Sequence, residues 1–425
     1  MSQYFIYRDT DDSSQPGIHL RADQHVITGA TEFQNSFGTA TSLELDLLLI
    51  AASVFSVDRG TPRGEREDFA RRLELSIPVV NAGRLQPLAG SIEDALRFLS
   101  NDYWHIELRQ HDGATEAFAG GQRQEGQVLL FSGGLDSLAA AIEFGNPGPL
   151  ALVSHITRGR QTRNVQERLA GMLSDSGISL PHYQLFVSSR DVPGFDHDIE
   201  GSQRTRSFMF LILAALVARR LGRRDLLMIA ENGQMAIHLP LSTARIGAFS
   251  THTAHPDLLD SMQTILSTAL AGTYRISNPY VSLTKAEVVE RIWTGMRDAV
   301  AVTSSCWRSA RLPEGVTHCG ECVPCMIRRV AIETHGDDPT PYGRDAFAQS
   351  FSTMDADDEA RRNLADLCEF SRKFETMSDA DLIDEWPELY SPNIDQASTI
   401  TMYRRAAQQT RAVLSKYPGL AAALQ

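Results

Sequence analysis

Short apolar runs alternate with amphipathic segments along the middle of the chain. Apolar runs of four to six residues are found at 128–131, 150–154, 183–187 and 225–230. Their length and composition are typical of buried parallel strands, and residues 138–144, after the first run, favour a helix. Strands that alternate with helices predict an α/β fold with a doubly wound parallel sheet, here over residues 125–335.

The pattern differs on both sides of this stretch. Residues 1–120 contain an apolar helical segment that begins at Leu43 and an alternating strand at 73–80, which together predict an N-terminal α+β domain. Pro78 places that strand at a sheet edge, because proline has no N–H to donate to a ladder. Residues 345–425 carry apolar side chains at helical spacing and predict a helical C-terminal extension.

A glycine turn joins the first central strand to its helix. It consists of Ser132, Gly133, Gly134, Leu135, Asp136 and Ser137. Glycines let the backbone approach phosphate oxygens, and the free amides of a helix N-terminus supply positive potential. The serine hydroxyls add donors, and Asp136 can hold a Mg²⁺ ion that bridges phosphates. An ordinary glycine-rich strand-to-helix turn is the alternative interpretation.

Five positive side chains are candidates for anion binding. Arg204 and Arg206 precede a nearly apolar helix, where cations oppose the helix dipole. Their presence therefore suggests a bound phosphate, and pairing with acids of the preceding loop is the alternative. Lys285 is at the first position of another predicted helix and can reach a phosphate. Arg59 and Arg63 lie in a turn-rich segment that we expect to be a solvated loop, with contact to a ligand or partner as the alternative.

Four of the five cysteines are clustered. Cys306, Cys319, Cys322 and Cys325 follow a C-x12-C-x2-C-x2-C spacing, which suits a structural, four-coordinate Zn²⁺ site with no position open for water. An iron–sulfur cluster is the chief alternative, although its common local spacings differ. His318 could replace one sulfur, and a disulfide pair is less favoured than either metal site.

Composition and charge narrow the classes of function. The chain has 425 residues, of which 42% are hydrophobic and 22% are charged, as in soluble globular proteins. A net charge of −13 argues against general electrostatic capture of nucleic acid. The first residues lack a signal-peptide pattern, and the apolar segment 208–218 is about half the length of a membrane span. We therefore expect a cytoplasmic protein that binds no membrane.

Two of these motifs resemble those of known families. SGGLDS after a first strand resembles the PP-loop ATP pyrophosphatases, and together with the CGECVPC segment it is similar to the 7-cyano-7-deazaguanine synthase (QueC) family. The resemblance implies ATP, Mg²⁺ and Zn²⁺ as cofactors, with Ser132, Asp136 and Lys285 in catalysis. It also implies that Glu231 and Asn232, after the fourth central strand, line the nucleotide or substrate pocket. A simple polar turn is the alternative for these two.

The implied reaction is activation of a 7-deazaguanine carboxylate as an acyl-adenylate, with release of pyrophosphate and attack by an amine. In the synthase that amine is ammonia, and a second dehydration gives a nitrile. Three features depart from the family: a longer first gap in the cysteine motif, the segment GSQRTRS before the apolar helix, and the added terminal regions. Such enlarged relatives resemble the QueC-like component of Qat antiphage systems. That resemblance implies an amine on a partner protein from the same operon. The alternatives are a nucleotide- or deazaguanine-binding scaffold and a tRNA-modifying PP-loop enzyme.

Overall fold

The computed structural model describes residues 2–9, 14–64, 70–115, 124–146, 148–223, 227–242, 252–308, 312–421 and 423–424. The described strands are β1 Ser2–Tyr7, β2 Ile18–Arg21, β3 Val26–Ile27, β4 Arg72–Val79, β5 Tyr103–Gln110, β6 Gln127–Leu130, β7 Leu150–Ile156, β8 His182–Phe186, β9 Ser188–Ser189, β10 Leu227–Met228 and β11 Ile276–Ser277. The described α-helices are α1 Ala30–Phe37, α2 Ser42–Gly60, α3 Ala82–Leu85, α4 Ala89–Ser100, α5 Leu135–Gly145, α6 Arg160–Asp175, α7 Arg206–Arg220, α8 Gly233–Ile237, α9 Pro256–Ala269, α10 Lys285–Trp293, α11 Val323–Glu333, α12 Glu359–Thr376, α13 Asp379–Glu385 and α14 Gln396–Leu414.

The central sheet has five strands in the order β11-β10-β6-β7-β8, and all four pairings are parallel. This confirms the predicted parallel α/β sheet. Residues 225 and 226 of the predicted fourth strand lie outside the described residues, and β10 is described as Leu227–Met228. In a parallel sheet all strands end at one edge, so the segments after β6, β7 and β10 meet there.

The N-terminal sheet is also parallel, in the order β2-β1-β4-β5. Helices lie between β2 and β4 and between β4 and β5, so this region is α/β and the expected α+β arrangement is wrong. The edge position expected for Pro78 is wrong too, because β4 lies between β1 and β5. The β1 pairing reaches only Ser76 of β4. Pro78 therefore lies beyond it, where a missing N–H costs no bond to β1.

Two long helices join the N-terminal region to the central sheet. Helix α2 is capped by a Thr41–Glu44 capping box and packs against α7, which covers β6 and β7. At one end Glu44 receives two hydrogen bonds from Arg220, at 2.7 and 2.6 Å. At the other end Asp58 accepts from the amide and hydroxyl of Thr205, at 3.0 and 2.9 Å. The helices are thus antiparallel, and their apolar side chains form one continuous core with both sheets.

The region 345–425 is helical where it is described, as predicted. Helices α12 and α14 pack together and against α11, and α14 also contacts α8 near the edge of the central sheet. Trp386 stacks on Phe374 with ring centroids 4.9 Å apart, and Tyr403 stacks on the same ring. Among the described helices, none combines the length and apolar character needed to cross a membrane.

Candidate active site and metal centre

The glycine turn forms a tight loop between β6 and α5. Gly133 has a φ of +87°, and a Cβ there would lie 3.1 Å from Val165. The Gly134 amide donates to the Ser132 hydroxyl at 3.3 Å, and the Ser137 hydroxyl donates to the Gly134 carbonyl at 3.1 Å. The turn therefore has the glycine backbone and inward hydroxyls that a phosphate cradle requires.

Asp136 is the centre of a buried polar cluster beside this turn. Its Oδ2 accepts from Lys285 Nζ at 2.7 Å and from the Asn232 amide at 3.1 Å. Only 8% of Asp136 is exposed. Its Oδ1 is buried and has no hydrogen-bond partner among the described residues. The fold thus brings together three predicted site residues that are up to 149 positions apart in sequence.

Glu231 lies next to this cluster. Burial, and secondly the negative charge of Asp136, raise the pKa of Glu231 to about 8, while Lys285 acts in the opposite direction. Its Oε2 is buried without a hydrogen-bond partner among the described residues. Two neighbouring carboxylates that each keep a buried, unpartnered oxygen repel each other unless one is protonated or a cation binds. These oxygens fit a divalent ion, which prefers carboxylate ligands.

Local backbone contacts hold the cluster in place. Lys285 is the first residue of α10, which begins with a Thr284–Glu287 capping box. The Lys285 amide donates to Gln234 at 3.0 Å. The Gly233 amide donates to the Leu283 carbonyl at 2.8 Å, and a Cβ on Gly233 would lie only 2.2 Å from a carbonyl oxygen. The turn after β10 and the start of α10 are therefore locked together, which aims Lys285 at Asp136.

The predicted arginines are placed differently from Lys285. Arg204 donates to the Ser100 carbonyl of the N-terminal region at 3.2 Å, and burial, followed by the charge of Arg63, lowers its pKa to about 10. Arg206 packs over the Phe210 ring at 5.5 Å and lies near His155. Neither arginine belongs to the Asp136 cluster as described above. The segment around Arg59 and Arg63 is not a solvated loop, because Arg59 lies in α2 and the Arg63 side chain is only 7% exposed.

The four cysteines converge as predicted. Their sulfur atoms all lie within 4.8 Å of one another, and all four residues are buried. Backbone amides of Arg308 and Cys319 donate to the Cys306 sulfur at 3.3 and 3.4 Å, an environment that stabilises thiolates. A single tetrahedral ion would separate such sulfurs by about 3.8 Å, the same as the Cys319–Cys325 distance of 3.8 Å.

Residues around the cysteines connect the cluster to the glycine turn. His318 accepts a hydrogen bond from the Ser305 amide at 3.1 Å through Nε2, so it supports the loop and does not replace a sulfur. Arg328 is fully buried and donates to Thr303 at 2.9 Å and Ser305 at 3.2 Å. Ser304, between these two residues, donates its amide to the Gly133 carbonyl at 3.0 Å. A metal at the cysteines would therefore stabilise the segment that braces the phosphate loop.

Sequence patterns did not reveal two connecting residues. Gln166 is fully buried in α6, and its amide donates to the carbonyls of Ser132 at 3.4 Å and His155 at 3.3 Å. Arg328 is three residues after Cys325 and connects the cysteine segment to Thr303. No local signal marks either residue, because their partners are far away in sequence.

Known proteins are similar in sequence to part of this chain. A family model described as QueC, queuosine biosynthesis protein QueC, matches residues 205–336. The 7-cyano-7-deazaguanine synthase 1 of Mesorhizobium japonicum is 36% identical over 229 residues, which cover 51% of this chain and 92% of that protein. The chain belongs to the 7-cyano-7-deazaguanine synthase family.

Other family members match to a similar extent. The synthase of Porphyromonas gingivalis is 26% identical over 243 residues, covering 52% of this chain and 99% of that protein. The synthase of Methanothrix thermoacetophila is 26% identical over 237 residues, covering 51% and 97%. Almost the whole length of these synthases therefore corresponds to about half of this chain, and the other half is additional.

Proposed function

We propose that this protein uses ATP to activate a 7-deazaguanine carboxylate as an acyl-adenylate, releases pyrophosphate, and transfers the acyl group to an amine. The observation that carries the proposal is the Asp136 cluster at the glycine turn. It pairs one carboxylate oxygen with Lys285 at 2.7 Å and leaves the other oxygen unpartnered. Membership of a family named for 7-cyano-7-deazaguanine synthesis supports the choice of acid.

Each group has a defined role in this reaction. A substrate carboxylate oxygen bonds to the α-phosphorus of ATP while the bond to the pyrophosphate oxygen breaks. The amides and hydroxyls of the glycine turn (Ser132, Gly133, Gly134, Leu135 and Ser137) donate to the phosphates, and Lys285 balances the charge that develops on pyrophosphate. The amine nitrogen then attacks the acyl carbon and AMP leaves with the carboxylate-derived oxygen.

Two metals fit the described donors. Asp136 Oδ1 and Glu231 Oε2 would hold Mg²⁺, which supplies charge neutralisation for the phosphates. Asn232 keeps Asp136 oriented through its amide. Cys306, Cys319, Cys322 and Cys325 would hold a structural Zn²⁺, which has no open position for a reactant.

The proposal also includes the identity of the amine that accepts the acyl group. Ammonia would give an amide, and a second activation of that amide would give the nitrile named in the synthase relatives. We favour instead an amine on a partner protein from the same operon, in antiphage defence. The support for a large acceptor is the additional half of the chain. The N-terminal sheet and α12–α14 both lie outside residues 205–336, which the family model matches.

The experiment is pyrophosphate release from Mg²⁺-ATP with 7-carboxy-7-deazaguanine. We expect release by the wild type, none by Asp136→Ala, and unchanged release by Asp175→Ala, which alters an exposed acid at the end of α6. Absence of release with this acid, with or without ammonium, would overturn the proposal in favour of a binding scaffold. Release that depends instead on tRNA would favour the tRNA-modifying alternative.

The acceptor is tested separately by mass spectrometry of the operon's other proteins after co-expression. A mass gain that matches a deazaguanine amide would favour conjugation. An unmodified partner together with free nitrile in solution would show that ammonia is the acceptor.

A further inference from the structure

Helices α2 and α7 bring two arginines together around a buried histidine. Arg59 lies over the Phe55 ring at 6.0 Å, one helical turn away on α2. Arg206 lies over Phe210 at 5.5 Å on α7. The His155 ring meets the edge or face of both phenyl rings, with centroids 5.3 and 6.1 Å away. Burial lowers the pKa of His155 most, and the charges of Arg206 and Arg59 lower it further. The two arginines therefore lie near the same histidine, one from the N-terminal region and one from the central unit.

Arg206 has no negative partner there. Among the described residues no carboxylate lies within ion-pair distance of Arg206, and its Nε is buried without a hydrogen-bond partner. Burial, and then repulsion from Arg59, lower the pKa of Arg206 to about 10. Arg59 contacts Asp198, whose side chain is 61% exposed. Holding a second cation beside a poorly solvated, unpaired guanidinium is unfavourable unless an anion binds to it.

The two arginines and His155 lie next to the phosphate loop. His155 is the second-to-last residue of β7, and β7 is the neighbour of β6 in the sheet. Gln166 donates to the carbonyls of both Ser132 and His155. One side chain therefore connects the phosphate loop with the histidine that lies near the two arginines. The Asp136 cluster involves the turn after β10, on the opposite side of β6. The two charged groups therefore flank the glycine turn.

Contacts of the N-terminal region fix the position of Arg59 relative to Arg206. Asp58, immediately before Arg59, accepts from the amide and hydroxyl of Thr205, immediately before Arg206. Asp58 is fully buried and is also paired with Arg71. Because adjacent residues form the contact, the position of Arg59 relative to Arg206 is set by the same hydrogen bonds that join the two helices.

We propose that Arg59 and Arg206 jointly bind an oxyanion of a reactant, so that the N-terminal region completes the active site of the central unit. This rests on the proposed function. Planar guanidinium groups match the paired oxygens of both carboxylates and phosphates. The occupant is therefore either a phosphate of ATP or the carboxylate of the acid, and the position beside the glycine turn suits both.

The test measures binding without turnover. The dissociation constants of α,β-methylene-ATP and of 7-carboxy-7-deazaguanine are each measured by calorimetry for wild type, Arg59→Ala, Arg206→Ala and the double variant. We expect both single variants to weaken binding of the same probe by about tenfold or more, and the double variant to weaken it by less than the product. Weakening of the ATP analogue identifies a phosphate, and weakening of the acid identifies its carboxylate.

Controls separate this result from unfolding and from failure of the proposed function. Arg72→Ala removes an exposed arginine of the same N-terminal region that lies over Tyr103, and it should bind both probes like the wild type. Arg59→Lys and Arg206→Lys keep the charge, so they should fold even if the alanine variants do not, with binding about threefold weaker.

Several outcomes would overturn the inference. These are wild-type binding of neither probe, affinities within twofold of wild type in the arginine variants, or an effect of Arg206 alone. Because no pyrophosphate has to be released, a positive result stands even if the enzyme proves to have another reaction.

Discussion

Two buried clusters pair acidic side chains with arginine or lysine, and they differ in how many of the carboxylate oxygens accept a hydrogen bond. In the first, at the junction of the N-terminal region with α7, Asp102 binds Arg63 through two bonds of 2.8 and 2.7 Å and also accepts from Arg71. Asp58 bonds Arg71 with one oxygen and Thr205 with the other. All four carboxylate oxygens therefore have partners. In the second cluster, Asp136 and Glu231 each keep a buried oxygen that has none among the described residues.

The difference distinguishes structural from functional burial of charge. A buried ion pair is tolerated when its remaining hydrogen-bonding groups are satisfied, and the closed Asp58–Asp102 network joins two parts of the chain in this way. An open cluster retains an electrostatic cost that a ligand can remove. The cysteine cluster belongs to the open kind, since its four neighbouring sulfurs could hold a metal ion.

The largest expected effect is loss of the metal from the cysteine cluster. We expect the wild type to bind one zinc ion per chain. Cys322→Ser should abolish this binding and lower the free energy of unfolding by about 5 kcal/mol or more, because binding to a structural site contributes directly to folding. Metal content by mass spectrometry and thermal unfolding measure this. Cys368→Ser, in a buried position of α12, is the matched control. Equal metal content and equal thermal unfolding midpoints in the two variants would contradict a metal site at the four cysteines.

Breaking the closed network should reduce stability rather than catalysis. Asp102→Ala leaves Arg63 and Arg71 buried without their carboxylate, so we expect a loss of about 3–5 kcal/mol in the free energy of unfolding. Urea unfolding measures it, with the exposed Asp112→Ala as control. A loss below about 1 kcal/mol would mean that the network is not a structural junction.

Removing the charge of Asp136 in the second cluster should reduce catalysis rather than stability. Asp136→Asn keeps the shape of the side chain but removes the charge that faces the cation, so we expect pyrophosphate release to fall by about 100-fold or more, equivalent to about 2.7 kcal/mol. Its unfolding free energy should change less than that of Asp102→Ala. If the unfolding free energy of Asp136→Asn falls and its rate per folded molecule does not, the second cluster is structural and its assignment as the functional cluster is wrong.

The smallest effect is on the pH dependence of stability. The pKa of Glu231 is raised to about 8 in the folded protein, so between pH 5 and 8 the native state holds a proton that the unfolded chain has released. Stability from this group is therefore complete below its ordinary pKa and is lost as the pH rises toward 8. Glu231→Gln should remove this contribution to the decline, because glutamine does not titrate. Unfolding midpoints across this pH range measure it, and parallel curves for wild type and variant would show that Glu231 ionises normally.

Local sequence determined the elements of the central unit and two of its sites. Strand length, the glycine turn and the cysteine spacing each depend on residues close together in the chain, so their chemistry is visible without the fold. The helix start predicted at Lys285 is likewise the observed start of α10. Resemblance to a family then supplied the reaction, which the residues by themselves did not specify.

Only the tertiary structure decided the rest. The burial of Arg63 on Asp102 and the pairing of Asp136 with Lys285 join residues that are 39 and 149 positions apart. The parallel order of the N-terminal strands likewise depends on pairing between separate segments of the chain. A turn-rich basic segment is indistinguishable from a solvated loop until its distant carboxylates are in place. Whether a buried carboxylate has a free oxygen is a property of the complete hydrogen-bond network, and that property separates the structural junction from the candidate active site.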